Sequence, residues 1–197
     1  MFDKSLSKYI KPETKAYKVM SNCMSDIFDE INVAPSKFIE KYWSNYQNYL
    51  KKLKESGLDL PDRSTSGKIF EIISSILIEY HLGMSIILRD ATLEGVPLVK
   101  PDILVQSQNR YYLLSFKTTL RERWKQADWE ALLFKQKHPD SKSFAITLDE
   151  KECIRVNESL KIKNTTYDPP LDNGLDEVVF ALGLRFDQII AEILDDC

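Results

Sequence analysis

The chain has 197 residues, 43% of them hydrophobic, which suits one domain with a substantial core. A formal net charge of −3 and a pI near 5.5 exclude indiscriminate nucleic-acid binding, which requires many phosphates neutralised by Lys and Arg, although a basic cleft can sit in an acidic protein. Cys23, Cys153 and Cys197, odd in number and without CxxC or Cys/His spacing, argue against a disulfide framework or a zinc site and suit a reducing cytoplasm. Met1-Phe2-Asp3-Lys4 leads into charged sequence and no apolar run nears the ~20 residues of a membrane span, so no membrane partner is expected.

In chain order, residues 13 to 32 read as a helix with Tyr17, Met20, Met24, Ile27, Phe28 and Ile31 on one face. A second helix runs from Ser36 to about Glu55, started by Pro35 and Ser36 and stopped by Gly57. Its aromatic face (Phe38, Tyr42, Trp43, Tyr46, Tyr49) suits core or edge packing. Pro61 to Gly67 is a loop and helix entry, and Ile69 to Tyr80 is apolar nearly all round, as for a helix buried beside a sheet. Glu71 interrupts that helix and has to be paired, protonated or metal-bound, whereas Glu79 is assigned to its exposed end. Lys68 could reach a DNA phosphate or simply be solvated. His81 precedes Gly83 at a helix end; with only His81 and His138 present, histidine-based catalysis has little material.

Strands are expected at Ser85 to Arg89, Ile103 to Gln106, Tyr111 to Lys117 and Ser143 to Leu148, with Gln106-Ser107-Gln108-Asn109 as a turn. A helix over 119 to about 137, with Leu120, Trp124, Ala127, Ala131 and Phe134 as its buried stripe, makes a parallel crossover between the last two. A helix near Glu150 to Leu160, an extended stretch through Thr166, a loop over Pro169 to Gly174 and a helix from about Asp176 to Leu194 complete a three-layer α/β domain around a mixed sheet.

The chemistry concentrates at Lys100-Pro101-Asp102, Ser115-Phe116-Lys117 and Glu130. Metal-dependent phosphodiester hydrolysis needs carboxylates for Mg²⁺ and a lysine to orient or activate water and to neutralise developing charge. Asp102 opens one strand and Lys117 ends the next, so an antiparallel hairpin brings them together. The position two residues before Lys117, on the same strand face, is Ser115, a poor Mg²⁺ ligand. Either the site is dead or a carboxylate arrives from elsewhere; Glu130, on the edge of the buried helix stripe, is the candidate, against an ordinary solvated carboxylate.

These residues resemble the PD-(D/E)xK restriction endonucleases, and within them the branch of the EcoRII catalytic domain, SsoII, PspGI and NgoMIV. That branch carries a Glu displaced onto the helix after the lysine and a small residue at the vacated position. Lys117-Thr118-Thr119, Arg121-Glu122-Arg123-Trp124 and Glu130 match its central motif, and Ser66-Gly67-Lys68-Ile69-Phe70-Glu71 looks like its Gly-Lys-x-x-Glu segment. The resemblance spans roughly residues 60 to 195. It implies a restriction-endonuclease-like fold, Asp102, Glu130 and Glu71 around Mg²⁺, Lys117 acting on water, and Ser115 lining the site. Residues 1–60 would be a helical part giving dimer or DNA contacts, and 61–197 the catalytic core.

Arg121, Glu122 and Arg123 carry a second chemistry. Arginine can bond bidentately to guanine O6 and N7, and a carboxylate can accept from cytosine N4, so the triplet can read adjacent C·G pairs; the alternative is a solvated charged turn. In the resembling family the matching residues read a CC:GG core, and some members stack a flipped base on an aromatic ring, for which Tyr42 or Trp43 could serve. The expectation is a Mg²⁺-dependent type II restriction endonuclease that cuts double-stranded DNA at a palindromic CCNGG- or CCWGG-like site. A homodimer follows from target symmetry, and the family implies a cognate DNA methyltransferase in the same system. The rivals are a structure-specific repair or recombination nuclease of the same fold, and a non-cleaving DNA-binding protein with a decayed site.

Overall fold

A computed structural model describes residues 5–83, 87–89, 99–108, 110–166 and 173–197. Met1 to Lys4, Ser85, Ile86, Asn109 and residues 169–172, all assigned above, lie outside this set. Three helices come first: α1 (Lys15–Cys23), α2 (Pro35–Glu55) and α3 (Arg63–Leu82). Strands β1 (Ile87–Arg89), β2 (Ile103–Gln106) and β3 (Tyr111–Lys117) follow, then α4 (Arg123–Lys135), β4 (Lys142–Thr147), α5 (Glu150–Thr166), β5 (Glu177–Phe180) and α6 (Leu184–Asp195).

The strands form one mixed sheet in the order β1-β2-β3-β4-β5. Antiparallel pairing joins β1 to β2 and β2 to β3; β3, β4 and β5 run parallel. Alternation along β3 sends Tyr112, Leu114 and Phe116 to one face and Leu113 to the other. The first face packs with Ile103, Val105, Phe144 and Ile146 against α1, α2, α3 and α6. The second meets α4 and α5 through Leu104, Phe134, Ala145 and Val178. The chain is thus an α/β protein with a mixed sheet flanked by helices on both faces. No helix among the described residues is long and apolar enough to cross a membrane.

Several expectations are corrected. The first helix ends at Cys23, not near residue 32. Met24, Ile27, Phe28 and Ile31 are still buried, but tertiary ties fix a turn there: the Tyr42 hydroxyl donates to the Asp26 carbonyl at 2.9 Å, and Lys41 pairs with Asp26 at 3.0 Å. α3 begins at Arg63 because Asp62 caps it, accepting from Thr65 N at 2.8 Å. Glu79 is buried, not exposed, and is ion-paired with Lys8. α5 continues to Thr166 in place of an extended stretch. The single C-terminal helix is instead β5 followed by α6: Val178 and Val179 are buried and pair with Ala145 and Ile146 of β4.

α4 is pinned from below. The Asp128 carboxylate accepts from Gly174 N at 2.9 Å and Leu175 N at 3.0 Å. The Gly174 backbone comes so close that a Cβ there would stand 1.9 Å from the Asp128 carbonyl oxygen, so only glycine fits. This fixes α4 two residues before Glu130.

Candidate active site

β2 and β3 deliver Asp102 and Lys117 to the same end of the sheet. The ladder's last pair is Ile103 with Leu114; beyond it, the Asp102 side chain takes the place of a strand partner. Its Oδ2 accepts from Phe116 N at 2.6 Å and from Lys117 Nζ at 2.7 Å. Both side chains are mostly withdrawn from water, with 20% of Asp102 and 16% of Lys117 exposed. A charge-assisted pair so placed is strongly oriented, which a reacting group requires.

Glu71 reaches this end from α3. The ring of Phe70, the preceding residue, packs edge-on against Phe116 of β3 at 5.7 Å between centroids, and burying such a ring is worth about 1.5–3 kcal/mol. Glu71 is half-buried, and burial together with the negative charge of Asp102 raises its carboxyl above the usual glutamate range, against the pull of Lys68 and Lys117. Lys68, an exposed residue one turn earlier, is 3.1 Å from the Glu71 carboxylate.

Glu130 comes from α4, on the opposite face of the sheet. It is half-buried; its Oε2 accepts from Lys100 N at 3.4 Å and its Oε1 from Gln126 Nε2 at 2.7 Å. It therefore sits over the chain entering Asp102, without a hydrogen bond to Asp102 or Lys117. Ser115 is half-buried opposite Ala145, on the Lys117 face of β3. Among the described residues no group of three His, Cys, Asp or Glu side chains is close enough to form a metal cluster. Mg²⁺ usually takes one or two carboxylates and keeps several waters. Asp102 and Glu71 both offer carboxylate oxygens, the hard donors such a cation takes.

The Arg121-Glu122-Arg123 triplet is not in the first turn of a helix as expected. α4 starts only at Arg123, Glu122 stands at its N-cap without a side-chain capping bond, and Arg121 has φ 40, which ends any helix from residue 119. Arg121, Glu122 and Arg123 are all exposed. Lys125 pairs with Glu122 and, with Arg155, holds its carboxyl below the ordinary range. The aromatic candidates divide: Tyr42 is wholly buried with its hydroxyl on the Asp26 carbonyl, which removes it as a stacking platform, and Trp43 is half-buried against Tyr46 and Phe70.

Two residues around the site were not anticipated. Glu152 of α5 accepts from the main-chain N–H groups of Leu120 and Arg121, and Arg155 lies near Glu122. The Asp149-x-x-Glu152 spacing reads as a local helix cap, which conceals a long-range role. Compared with known proteins, the chain matches no family model, no curated protein and no solved structure.

Proposed function

We propose that the chain is a Mg²⁺-dependent endonuclease of double-stranded DNA with a restriction-endonuclease-like fold, and within that class a type II restriction enzyme for a short palindromic CC/GG site. The observation that carries this reading is the Asp102 carboxylate bonded at once to Lys117 Nζ and Phe116 N, at the sheet end where α3 brings Glu71 and α4 brings Glu130.

Asp102, with Glu71 or Glu130 as a second carboxylate, would hold the cation, which when bound supplies charge to the scissile phosphate and acidifies water. Lys117 lies beside the carboxylate that orients it and can hold the attacking water or meet charge developing on the phosphate. Ser115 leaves space on that strand face where a carboxylate would otherwise stand. Arg121, Glu122 and Arg123 are exposed a few residues beyond Lys117 and would read base edges, and the exposed Lys68 would meet a phosphate. A palindromic target calls for a homodimer, and a cutter of this kind works in the cytoplasm beside a methyltransferase protecting the same sequence.

The test is digestion of a sequenced plasmid by the purified chain with Mg²⁺ and, separately, with chelator, followed by mapping of the fragment ends. The parent is expected to cut at CC/GG sites only with the metal. Lys117→Ala should cut at least about a hundredfold more slowly while still binding the mapped duplex. Equal rates for variant and parent would end the assignment.

A further inference from the structure

Arg121 is the one residue other than glycine with a positive φ among the described residues. A side chain with a Cβ adopts that conformation only where its surroundings impose it. The constraint comes from one carboxylate: Glu152, in the first turn of α5, accepts from Leu120 N at 2.5 Å through one oxygen and from Arg121 N at 3.0 Å through the other. Asp149 in turn accepts from Glu152 N at 3.0 Å. A Glu at this place in a capping box ordinarily folds back onto the amide of its own cap; Glu152 reaches another element. Beneath the turn, the Leu120 side chain is fully buried in the cluster with Trp124 and Val156.

We propose that Glu152 is a positioning residue for DNA reading, fixing the main chain at Leu120 and Arg121 so that Arg121, Glu122 and Arg123 enter the groove as one unit. The inference rests on the nuclease reading above and adds to it a residue that makes no contact with the reacting atoms. Two carboxylate oxygens on two consecutive N–H groups form a bidentate, charge-assisted grip. A recognition constellation has to stay within about 0.5 Å of its productive geometry; without the grip, Arg121 relaxes to negative φ and its guanidinium swings away.

The experiment compares cleavage of a short duplex bearing the mapped site with cleavage of the same duplex changed at one base pair, for the parent and Glu152→Gln. Glutamine keeps the length but turns one acceptor into a donor facing an N–H. The discrimination ratio is expected to fall about tenfold or more. Because both substrates meet the same preparation, the ratio is independent of the fraction folded, and a merely structural role would not move it. If Glu152→Gln shows no cooperative thermal transition, Glu152→Asp replaces it: the charge is kept, but the shorter arm cannot hold both amides, and the same fall is expected.

Unchanged discrimination in either folded variant overturns the proposal. A parent that cuts without sequence preference overturns both this proposal and the restriction reading. A parent that cuts no DNA overturns the nuclease reading alone; the duplex it binds best from a random-sequence pool then replaces the mapped site, and the binding ratio decides on Glu152 by the same criterion.

Discussion

Lys117 and Arg123 are six residues apart in the chain and are held in opposite ways. Lys117 ends a strand with neighbours on both sides: Thr147 of β4 is its register partner, and Asp102 grips both its ammonium and the preceding amide. Arg123 opens a helix behind a turn that has left the sheet, with its side chain in solvent and the preceding amides of Leu120 and Arg121 tied down by Glu152. In the proposed nuclease, the groups that act on a phosphodiester would need to stay fixed, and ladder hydrogen bonds shared by many residues provide that. Groups proposed to read base edges would need to project, and the turn that carries them holds the one positive φ outside glycine among the described residues. On the proposed reading, cutting and choosing are therefore separable by substitution.

The sharpest break of that comparison pairs Lys117→Ala with Arg123→Ala. The first should slow cleavage at least about a hundredfold at every sequence alike while site binding persists. The second should leave slow, unselective cutting and remove preference for the mapped site, by the about 1–3 kcal/mol that a bidentate arginine–guanine contact contributes. Rates on matched and mismatched duplexes measure both. If Arg123→Ala retains full selectivity, the triplet is only a charged turn.

Arg121→Gly should have a smaller and two-sided effect. Glycine takes φ 40 without the penalty of about 1 kcal/mol borne by a residue with a Cβ. The thermal midpoint is expected to rise by about 2–4 °C, while discrimination falls with the lost guanidinium. A drop in midpoint would mean that the Arg121 side chain stabilises the turn and that its backbone carries no strain.

The same division governs what could be read from the residues alone. The β2–β3 hairpin and the meeting of Asp102 with Lys117 were legible, because alternation and a turn fix the register and register fixes which ends meet. β4 was legible to within a residue at each end. β5 was not: a four-residue strand holding Val178 and Val179 runs into an amphipathic helix, and the apolar spacing of the two together imitates one longer helix. Glu79 was misplaced because its partner Lys8 is 71 positions away. The turn at Arg121 was not legible for a similar reason. Nothing in Leu-Arg-Glu-Arg specifies a positive φ, which is imposed by Glu152, 31 residues beyond Arg121.

Glu71→Gln probes the fixed end by its charge, with the smallest expected effect. The folded-state value of the Glu71 carboxyl lies above the ordinary one because of burial and Asp102. The stability linked to this group is thus complete below the ordinary glutamate value and is lost as the pH rises through the raised one. At neutral pH the ionised carboxyl opposes folding, and Glu71→Gln should melt slightly higher than the parent, the difference fading as the pH falls into the ordinary glutamate range. Added Mg²⁺ should reverse the order: a cation at this site needs the charge the parent keeps, so the parent gains more in melting temperature than the variant. Equal gains would remove Glu71 from the metal site and leave Asp102 and Glu130 to hold the ion.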